Sequence, residues 1–554
     1  MLNRRTLATV TASALLAAAS LSSAQTPSPR AEDILRFREA TPVVLPPVGD
    51  RSCAAERLTA TSVAPGDLRV DTIGIDGATR VPPADLARET ESLIGRSVDR
   101  ATLDRLAERV GCVYRRRGYL YARATVEPGA EPGAWRLRVH EGRVAAVHVA
   151  TGDADLDAFL RRAFGRVRPG EPLQADDLRQ GLALAARHAV WSVSTRASRD
   201  PADPDAITLI VEAPKPRTTV FLSAQNNAPE TVGRWWAGAS VIGHGVTPLY
   251  ERNTLGVFHS LEGDRQRGVQ LSSQALLNDR GLGGRVDLAW YEQRPDERAP
   301  LPDTIGTTRL ARAELDYPLT ASPDLLVMGR AGFEAVDQET RLLGGPRTAD
   351  DQVRVVYIGV GGERHDGEAV QTADLSVRKG VTLLGGSRRG DPLLSRPDAE
   401  PEAVVVRAEA SASRPLAGGR VQARVRGQWA DDPLLAYEEF TFGGAPGGRG
   451  LDPGALQGDR GVAVTLEWAG RTWAFGRVGV DPLAFVEAAR AWNEDGFGPR
   501  RAHVALAGGG VRLHLDSRTV VDVVYAHPLD SEGVDKERFG PRVLVTLRTS
   551  VGLR

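Results

Sequence analysis

The sequence predicts a mainly β protein, a 16-stranded transmembrane β-barrel preceded by two small β-α-α-β-β domains. Three observations support this prediction. From about residue 218 onward, short segments of alternating apolar and polar residues are separated by Gly, Pro, Asp and Asn. Before them, one order of strands and helices occurs twice between residues 68 and 212. The chain also begins with a basic and then apolar segment, which is typical of an exported protein.

Residues 1–24 predict a cleavable secretory signal. Arg4 and Arg5 precede an apolar stretch from Leu7 to Leu21, and small residues follow up to Ala24. An amino-terminal membrane anchor is the alternative interpretation. The rest of the chain has no apolar run of about 18 residues, which a spanning helix would need. We therefore expect an exported protein that enters a membrane through strands.

Residues 25–67 predict a leader and linker rich in proline and small residues. It holds one helical candidate, residues 31–39, whose apolar members are Ile34, Leu35 and Phe37. A disordered linker is the alternative.

The chain has two cysteines, Cys53 and Cys112. In an oxidising compartment an even count permits one disulfide, and two buried free thiols are the alternative. Their wide spacing, without His or Cys neighbours at ligand distance, argues against a zinc site, so no metal is expected.

The repeated unit predicts two domains, residues 68–143 and residues 144–214. Each is expected to contain a strand, two helices and two strands. In the first domain these elements are predicted at 68–75, after Pro82-Pro83, from Asp99 to Gly118, at 121–126 and at 135–139. In the second domain they are predicted at 144–150, 156–164, 175–189, 192–197 and 207–212.

Residues 215–554 predict the barrel, with roughly sixteen strands of about ten residues. The segment 420–429 shows the pattern most clearly, because Val421, Val425 and Trp429 alternate with polar residues. The apolar set is expected to face lipid and the polar set a wet lumen. Soluble β-sandwiches or a propeller are the alternative.

A glycine-rich loop at residues 440–461 lies between two predicted strands, with Arg449 near its centre. Glycine at this density permits backbone conformations that other residues avoid. Arginine offers a planar, permanently charged fork for a carboxylate. Taken alone, the segment could equally be a flexible surface loop.

The order of two such domains, about sixteen strands and this loop resembles the two-partner secretion transporters, the haemolysin secretion/activation family of ShlB/FhaC/HecB type. The two small domains look like POTRA domains. The first of them contains Tyr114 to Arg123 and Val139 to Arg143, which are similar to the family's tyrosine-glycine-tyrosine and closing glutamate-glycine stretches. The resemblance covers nearly all of the chain after the signal.

In that superfamily the loop after the eleventh strand carries a valine-arginine-glycine-aromatic motif and folds into the barrel. Here the motif is Gly448, Arg449, Gly450 and Leu451, so its first and last residues depart from the family pattern. The resemblance implies that Arg449 meets an acidic residue on strand thirteen, where Phe485 to Ala489 includes Glu487. Glu467 on the preceding strand is the alternative partner.

The resemblance further implies an outer-membrane transporter, not an enzyme, that secretes and in some cases activates a haemolysin- or adhesin-like partner. The amino-terminal segment of the client would add a strand to an edge of a POTRA sheet, at the second or third strand of either domain. Helix 31–39 would plug the resting lumen. A monomer in outer-membrane lipid, without cofactor, nucleotide or nucleic acid, is expected; the net charge of −1 gives no attraction to polyanions.

Three other functions are considered. An assembly or insertase factor of the same superfamily would carry more POTRA domains. A passive porin would have no use for the two small domains and the arginine loop. An enzyme would need clustered catalytic groups, whereas the nine histidines are scattered and no HExxH or G-x-S-x-G motif occurs.

Overall fold

A computed structural model of the chain describes residues 65–553, apart from 189–191, 204, 297–302, 323, 445–446, 496–498 and 536–538. Within it, two small modules precede a closed barrel. The predicted signal, the helical candidate with Ile34, Leu35 and Phe37, and Cys53 lie outside the described residues. Cys112 is fully buried in the first module. The disulfide between Cys53 and Cys112 therefore stays a prediction.

The first module has the predicted order of elements, with one extra strand between its helices. Asp99 begins the longer helix, because its carboxylate accepts a hydrogen bond from the backbone N–H of Thr102 at 2.8 Å. Its elements are β1 Pro65–Val70, β2 Thr72–Asp76, α1 Pro83–Thr90, β3 Arg96–Val98, α2 Arg100–Arg116, β4 Arg123–Pro128 and β5 Ala134–His140. The single strand predicted at 68–75 is thus divided into β1 and β2, and β1 pairs with β3.

The second module repeats the order without the extra strand. Asp153 begins its first helix by accepting from the backbone N–H of Leu156 at 3.1 Å. Its elements are β6 Arg143–Val149, α3 Ala154–Ala163, α4 Ala175–His188, β7 Ser194–Arg199 and β8 Ala206–Glu212.

Each module contains a three-stranded sheet with the same topology. In the first module the order is β2-β5-β4, and in the second it is β6-β8-β7. The last strand of each module therefore lies in the middle, parallel to the first strand and antiparallel to the second. The expectation that the third strand of a module could offer a free edge was wrong, because both of its sides are already paired. The first and second strands form the edges.

Hydrogen bonds close the end of the first module and join it to the second. Glu141, at the end of the first module, accepts hydrogen bonds from the backbone N–H groups of Thr79 and Arg80 at 2.7 and 2.9 Å and from the Tyr114 hydroxyl at 3.0 Å. Burial opposes ionisation of Glu141, but these hydrogen bonds outweigh it and hold the pKa of the carboxyl below its ordinary value. The backbone N–H of Ala175 donates to Gly118 across the boundary at 2.8 Å.

The barrel is a closed antiparallel sheet of sixteen long strands, as predicted. A short strand, β23 Trp473–Phe475, pairs with the first residues of β24. The long strands are β9 Thr219–Gln225, β10 Trp236–His244, β11 Arg252–Ser260, β12 Gln266–Leu276, β13 Gly283–Gln293, β14 Thr304–Ala321, β15 Leu325–Leu342, β16 Arg347–Asp366, β17 Ala369–Gly380, β18 Val404–Leu416, β19 Gly419–Ala430, β22 Arg460–Gly470, β24 Val478–Trp492, β25 Arg501–His514, β26 Thr519–Glu532 and β27 Arg542–Gly552. Among the described helices, none has the length and apolar character that a bilayer crossing requires.

The first and last strands close the barrel along a seam of seven residue pairs, from Gly552 with Thr219 to Thr546 with Gln225. Beyond the last pair, the Asn226 side chain accepts from the backbone N–H of Val545 at 2.7 Å and donates to the carbonyl of Val543 at 2.9 Å. The side-chain amide thus continues the ladder of backbone hydrogen bonds past the end of β9.

The alternation along the strands has the predicted direction. Outward side chains are apolar and exposed, for example Val464, Leu466 and Trp429 at 45%, 48% and 48%. Part of the lumen wall departs from the polar character that was expected of it. The inward side chains of β24 to β26 are mostly apolar and buried, and they include Phe485, Ala489, Val504, Leu506, Val524 and Ala526.

The second module is docked on the barrel rim that carries the turn 245–251, which we call the near rim; the opposite end is the far mouth. Phe159 of α3 stacks on Tyr250 of that turn with ring centroids 5.9 Å apart. The Arg162 guanidinium donates to the carbonyl of Leu249 at 2.8 Å. At the end of α4, the Nε of Arg187 donates to Asp316 of β14 at 2.9 Å. The module and the rim therefore share one packed core.

His188, the last residue of α4, is buried in this contact, and neither ring nitrogen has a hydrogen-bond partner among the described residues. Burial lowers the pKa of His188 to about 4. The Asp316 carboxylate, 3.9 Å away, opposes that shift, whereas the positive charges of Arg187 and Arg252 reinforce it. The docked module therefore holds a neutral imidazole.

We expect docking of the second module to weaken on acidification. An undocked His188 gains its proton near its ordinary pKa of 6.5, whereas the docked ring does so only near 4. The docking free energy is therefore at its full value above about pH 6.5 and declines between about 6.5 and 4, by about 3 kcal/mol in all. Limited proteolysis of residues 213–218 at several pH values would measure it. In His188→Leu the loss in this pH window should disappear; an equal loss in that variant would contradict the assignment.

Candidate functional site

The glycine-rich loop lies inside the barrel. It leaves β19 at the far mouth, forms a short hairpin from β20 Phe440–Phe442 and β21 Leu456–Gly458, and returns to β22. Phe440, Phe442, Leu451 and Leu456 are at most 2% exposed and pack in one cluster with the apolar inner wall of β24 to β26. The loop is therefore a packed part of the barrel interior, and the alternative of a flexible surface loop was wrong.

At the tip of the loop, Arg449 contacts both carboxylates that the sequence singled out. Its Nε donates to Glu487 Oε1 at 2.7 Å, and its Nη1 lies 2.7 Å from Glu467 Oε2. The guanidinium carbon also lies 3.7 Å from the centre of the Phe485 ring. Because Arg449 spans β22 and β24, it joins the loop to two neighbouring strands at once. We call this group of contacts the tip clasp.

Glu487 is the more deeply placed of the two carboxylates. Its side chain is 0% exposed, against 24% for Glu467. Its Oε2 also accepts hydrogen bonds from the backbone N–H groups of Gly448 and Arg449 at 2.7 and 2.9 Å. Glu487 therefore binds the loop backbone as well as the side chain of Arg449. Within the tip clasp, Glu467 binds only the Arg449 guanidinium.

The two departures from the family motif have physical explanations. Gly448 has a φ of +92°, and a Cβ there would lie 2.6 Å from the Cα of Gly443, so a branched side chain would not fit. Leu451 is 1% exposed within the apolar cluster that fills this side of the lumen, and its backbone bridges to Phe539. A leucine can fill the apolar space that an aromatic ring would otherwise occupy.

A second attachment of the loop was missed by the sequence analysis. Near the start of the loop, Glu438 lies 2.8 Å from Arg378 of β17 and 3.2 Å from Arg407 of β18. Arg378 also pairs at 2.8 Å with Glu334 of β15, which accepts from the Tyr437 hydroxyl at 3.3 Å. These side chains come from strands far apart in sequence, and each looks like an ordinary lumen-facing polar residue. Only the closure of the barrel brings them together.

Glu487→Gln is expected to weaken the tip clasp more than Glu467→Gln. Glu487→Gln removes the negative charge that faces a buried guanidinium and two backbone N–H groups. Glu467→Gln removes only a partly exposed ion pair, which contributes little to stability. The midpoint of heat-induced unfolding on semi-native gels would measure this difference in the purified proteins. Equal midpoints for the two variants would contradict the unequal roles.

Comparisons with known proteins agree with this architecture. A family model described as the ShlB-type POTRA domain matches residues 68–142. A second, described as haemolysin secretion/activation protein ShlB/FhaC/HecB, matches residues 348–514. No curated protein has a significantly similar sequence. The match to residues 348–514 includes Arg449, Glu467 and Glu487.

Two solved structures share the fold over almost the whole chain. CdiB from Escherichia coli superposes with a TM-score of 0.74 at 16% identity, covering 94% of this chain and 96% of CdiB. CdiB from Acinetobacter baumannii has a TM-score of 0.68 at 16% identity, covering 93% and 96%. Residues 348–514 match the haemolysin secretion/activation family of ShlB/FhaC/HecB type, and residues 68–142 match the POTRA domain of that type, a topology that the second module repeats. These matches and the closed barrel identify an outer-membrane transporter for a partner exoprotein, with its modules on the periplasmic side.

Proposed function

We propose that the second module receives the amino-terminal segment of the exoprotein as an added strand on β7. Among the described residues, the backbone of β7 is paired only with β8, so its other edge is available. The opposite edge strand, β6, is partly occupied: Val144 exchanges backbone hydrogen bonds with Glu171 and Gly170 at 2.9 and 2.8 Å. Strand addition takes its affinity from backbone hydrogen bonds, which suits an unfolded client.

The client then passes through the lumen once the tip clasp and the helix predicted at 31–39 have shifted. The observation that carries this proposal is the tip of the loop, where Arg449 lies across the lumen between two wall carboxylates. A permanent plug would need only apolar packing, whereas an ion pair in a partly wet lumen can exchange its partners for water. The client is expected to be of the haemolysin or adhesin type.

The transporter is expected to work as a monomer in outer-membrane lipid. Its own sixteen strands close the lumen, and no strand of a second copy is required. The two POTRA modules and the secretion-family match favour export over assembly of other barrels.

The binding step can be tested by photocrosslinking. A crosslinking amino acid at Arg196 of β7, whose side chain is 67% exposed, should capture the amino-terminal segment of the client exoprotein. The same group at Thr208 in the central strand β8 is the matched control and should give little product. Capture from Thr208 but not from Arg196 would exclude strand addition at β7.

A further inference from the structure

The segment 381–403, between β17 and β18, crosses the far mouth of the barrel. Hydrogen bonds hold it to its neighbours on both sides. The backbone N–H of Asp350 on β16 donates to the carbonyl of Leu393 at 2.7 Å, and that of Ser395 donates to the Asp351 carboxylate at 2.8 Å. The backbone N–H of Glu400 donates to the carbonyl of Pro433 at 2.8 Å, between β19 and the glycine-rich loop.

Two side chains of this segment reach inside the barrel. Leu394 and Ala399 are 6% and 0% exposed, and they belong to one apolar cluster with inward-facing residues of the wall. The wall members come from six strands, β10, β11 and β13 to β16: Trp236, Phe258, Tyr291, Leu310, Val336, Val353 and Val355. Side chains on a curved wall meet in one core only when something fills the space between them. The segment therefore lies in the mouth as well as above it.

Arg396, next along the segment, is surrounded by three carboxylates from three different places. It lies 2.6 Å from Asp459 and 2.9 Å from Glu439, at the two ends of the glycine-rich loop, and 2.7 Å from Asp495 in the turn after β24. Its side chain is 4% exposed, and those of the carboxylates are 7% or less.

The contacts with Asp459 and Asp495 use two guanidinium nitrogens each. Asp459 also accepts from the backbone N–H groups of Leu434 and Glu494, both at 2.8 Å. Only the planar fork of an arginine can satisfy this many acceptors in one plane.

Charge makes this arrangement strongly dependent on the arginine. Three carboxylates share one guanidinium in a buried place. Without the arginine they would repel each other at close range with little screening by water. The segments that carry them would then separate, and these are the segments that meet over the far mouth.

We infer that residues 381–403 are a lid over the external mouth of the barrel and that Arg396 is the positioning residue that keeps it closed. The lid is distinct from the tip clasp, which lies deeper and on other strands. The inference requires only that the chain is an outer-membrane barrel, whatever the client, so its failure would leave the export proposal standing.

The test is the access of an external reagent to the space under the lid. Val353 lies there, 3% exposed. A cysteine at this position, in intact cells, should react slowly with a bulky membrane-impermeant maleimide. In Arg396→Ala the reaction should be at least about tenfold faster, because removing one partner of a buried ion pair strongly destabilises the closed arrangement. The tip clasp and the helix predicted at 31–39 do not affect the reaction rate of this cysteine, since the reagent enters from outside.

Arg389→Ala is the matched control, because Arg389 lies on the same segment with a side chain that is 72% exposed. It should leave the protection of the cysteine unchanged. A cysteine at Leu343, exposed in the turn after β15, should react equally in all variants and so report the amount of barrel at the surface.

Unchanged protection in assembled Arg396→Ala would overturn the inference. Should that variant fail to assemble, Arg396→Lys decides, because it keeps the buried positive charge but loses the planar fork that reaches Asp459 and Asp495 together. A faster reaction in Arg396→Lys supports the lid, and an unchanged rate overturns it.

Discussion

Arg449→Ala is expected to reduce secretion of the exoprotein about tenfold or more while most of the barrel still reaches the outer membrane. The substitution leaves Glu487 fully buried without its guanidinium partner. Breaking a buried ion pair from one side costs about 3–5 kcal/mol. That cost falls on the position of the loop, because the sixteen-stranded ladder closes through backbone hydrogen bonds that Arg449 does not make. The measurement is the exoprotein in the medium relative to folded barrel in the membrane.

Two further variants make this result specific. Arg449→Lys keeps the charge but loses the fork that reaches Glu467 and Glu487 together, so it should secrete at an intermediate level. Arg518→Ala, in an exposed turn at the near rim, removes an arginine without touching the loop and should secrete normally. Normal secretion by Arg449→Ala would show that the tip clasp has no part in transport.

Gly283→Ala is expected to push the second module away from the near rim. A Cβ at Gly283 would lie 2.3 Å from Cε1 of His188 and 2.5 Å from the Asp316 carboxylate, closer than real Cβ contacts allow. Both of these neighbours are buried. Relief requires the module or the strand to move, and such overpacking costs about 1–3 kcal/mol. Faster limited proteolysis of residues 213–218 and weaker secretion should follow together.

The adjacent glycine supplies the control. A Cβ at Gly284 would meet only the flexible side chain of Leu277, at 3.0 Å and beyond, so Gly284→Ala should behave nearly like the unaltered protein. Adding His188→Ala to Gly283→Ala should restore part of the docking, because it removes the ring that the new methyl group meets, while the contact with Asp316 on the neighbouring strand remains. Failure of this rescue would mean that the strand itself, and not the contact with the module, was damaged.

Features with a short sequence period could be predicted from the sequence. The two modules, the number of strands and the outward direction of Val464 and Leu466 follow from local alternation and helical spacing. The central position of β5 and β8 did not follow, because the order of strands in a sheet depends on the connections and not on any one segment. The parallel pairing of the first and last strands of each module is what moves the second strand to the edge.

The candidate site was predictable in part for the same reason. Arg449 and Glu487 lie within recognisable patterns, so their pairing could be expected. The partners of Arg378 and Arg396 could not be expected, since Glu334, Glu438, Asp459 and Asp495 are acidic residues spread over 162 positions without a shared motif. The apolar inner wall was also missed, because alternation shows where a residue points but not what packs against it.

The seam between β9 and β27 limits the direction in which a polypeptide can travel. Seven residue pairs and the Asn226 amide leave no row of vacant backbone groups between these strands, so a client has nothing there to pair with on its way into the bilayer. Sideways release would first have to break that hydrogen-bonded edge inside hydrocarbon, where water cannot replace the lost bonds. A chain built this way delivers its cargo along its own axis to the cell exterior.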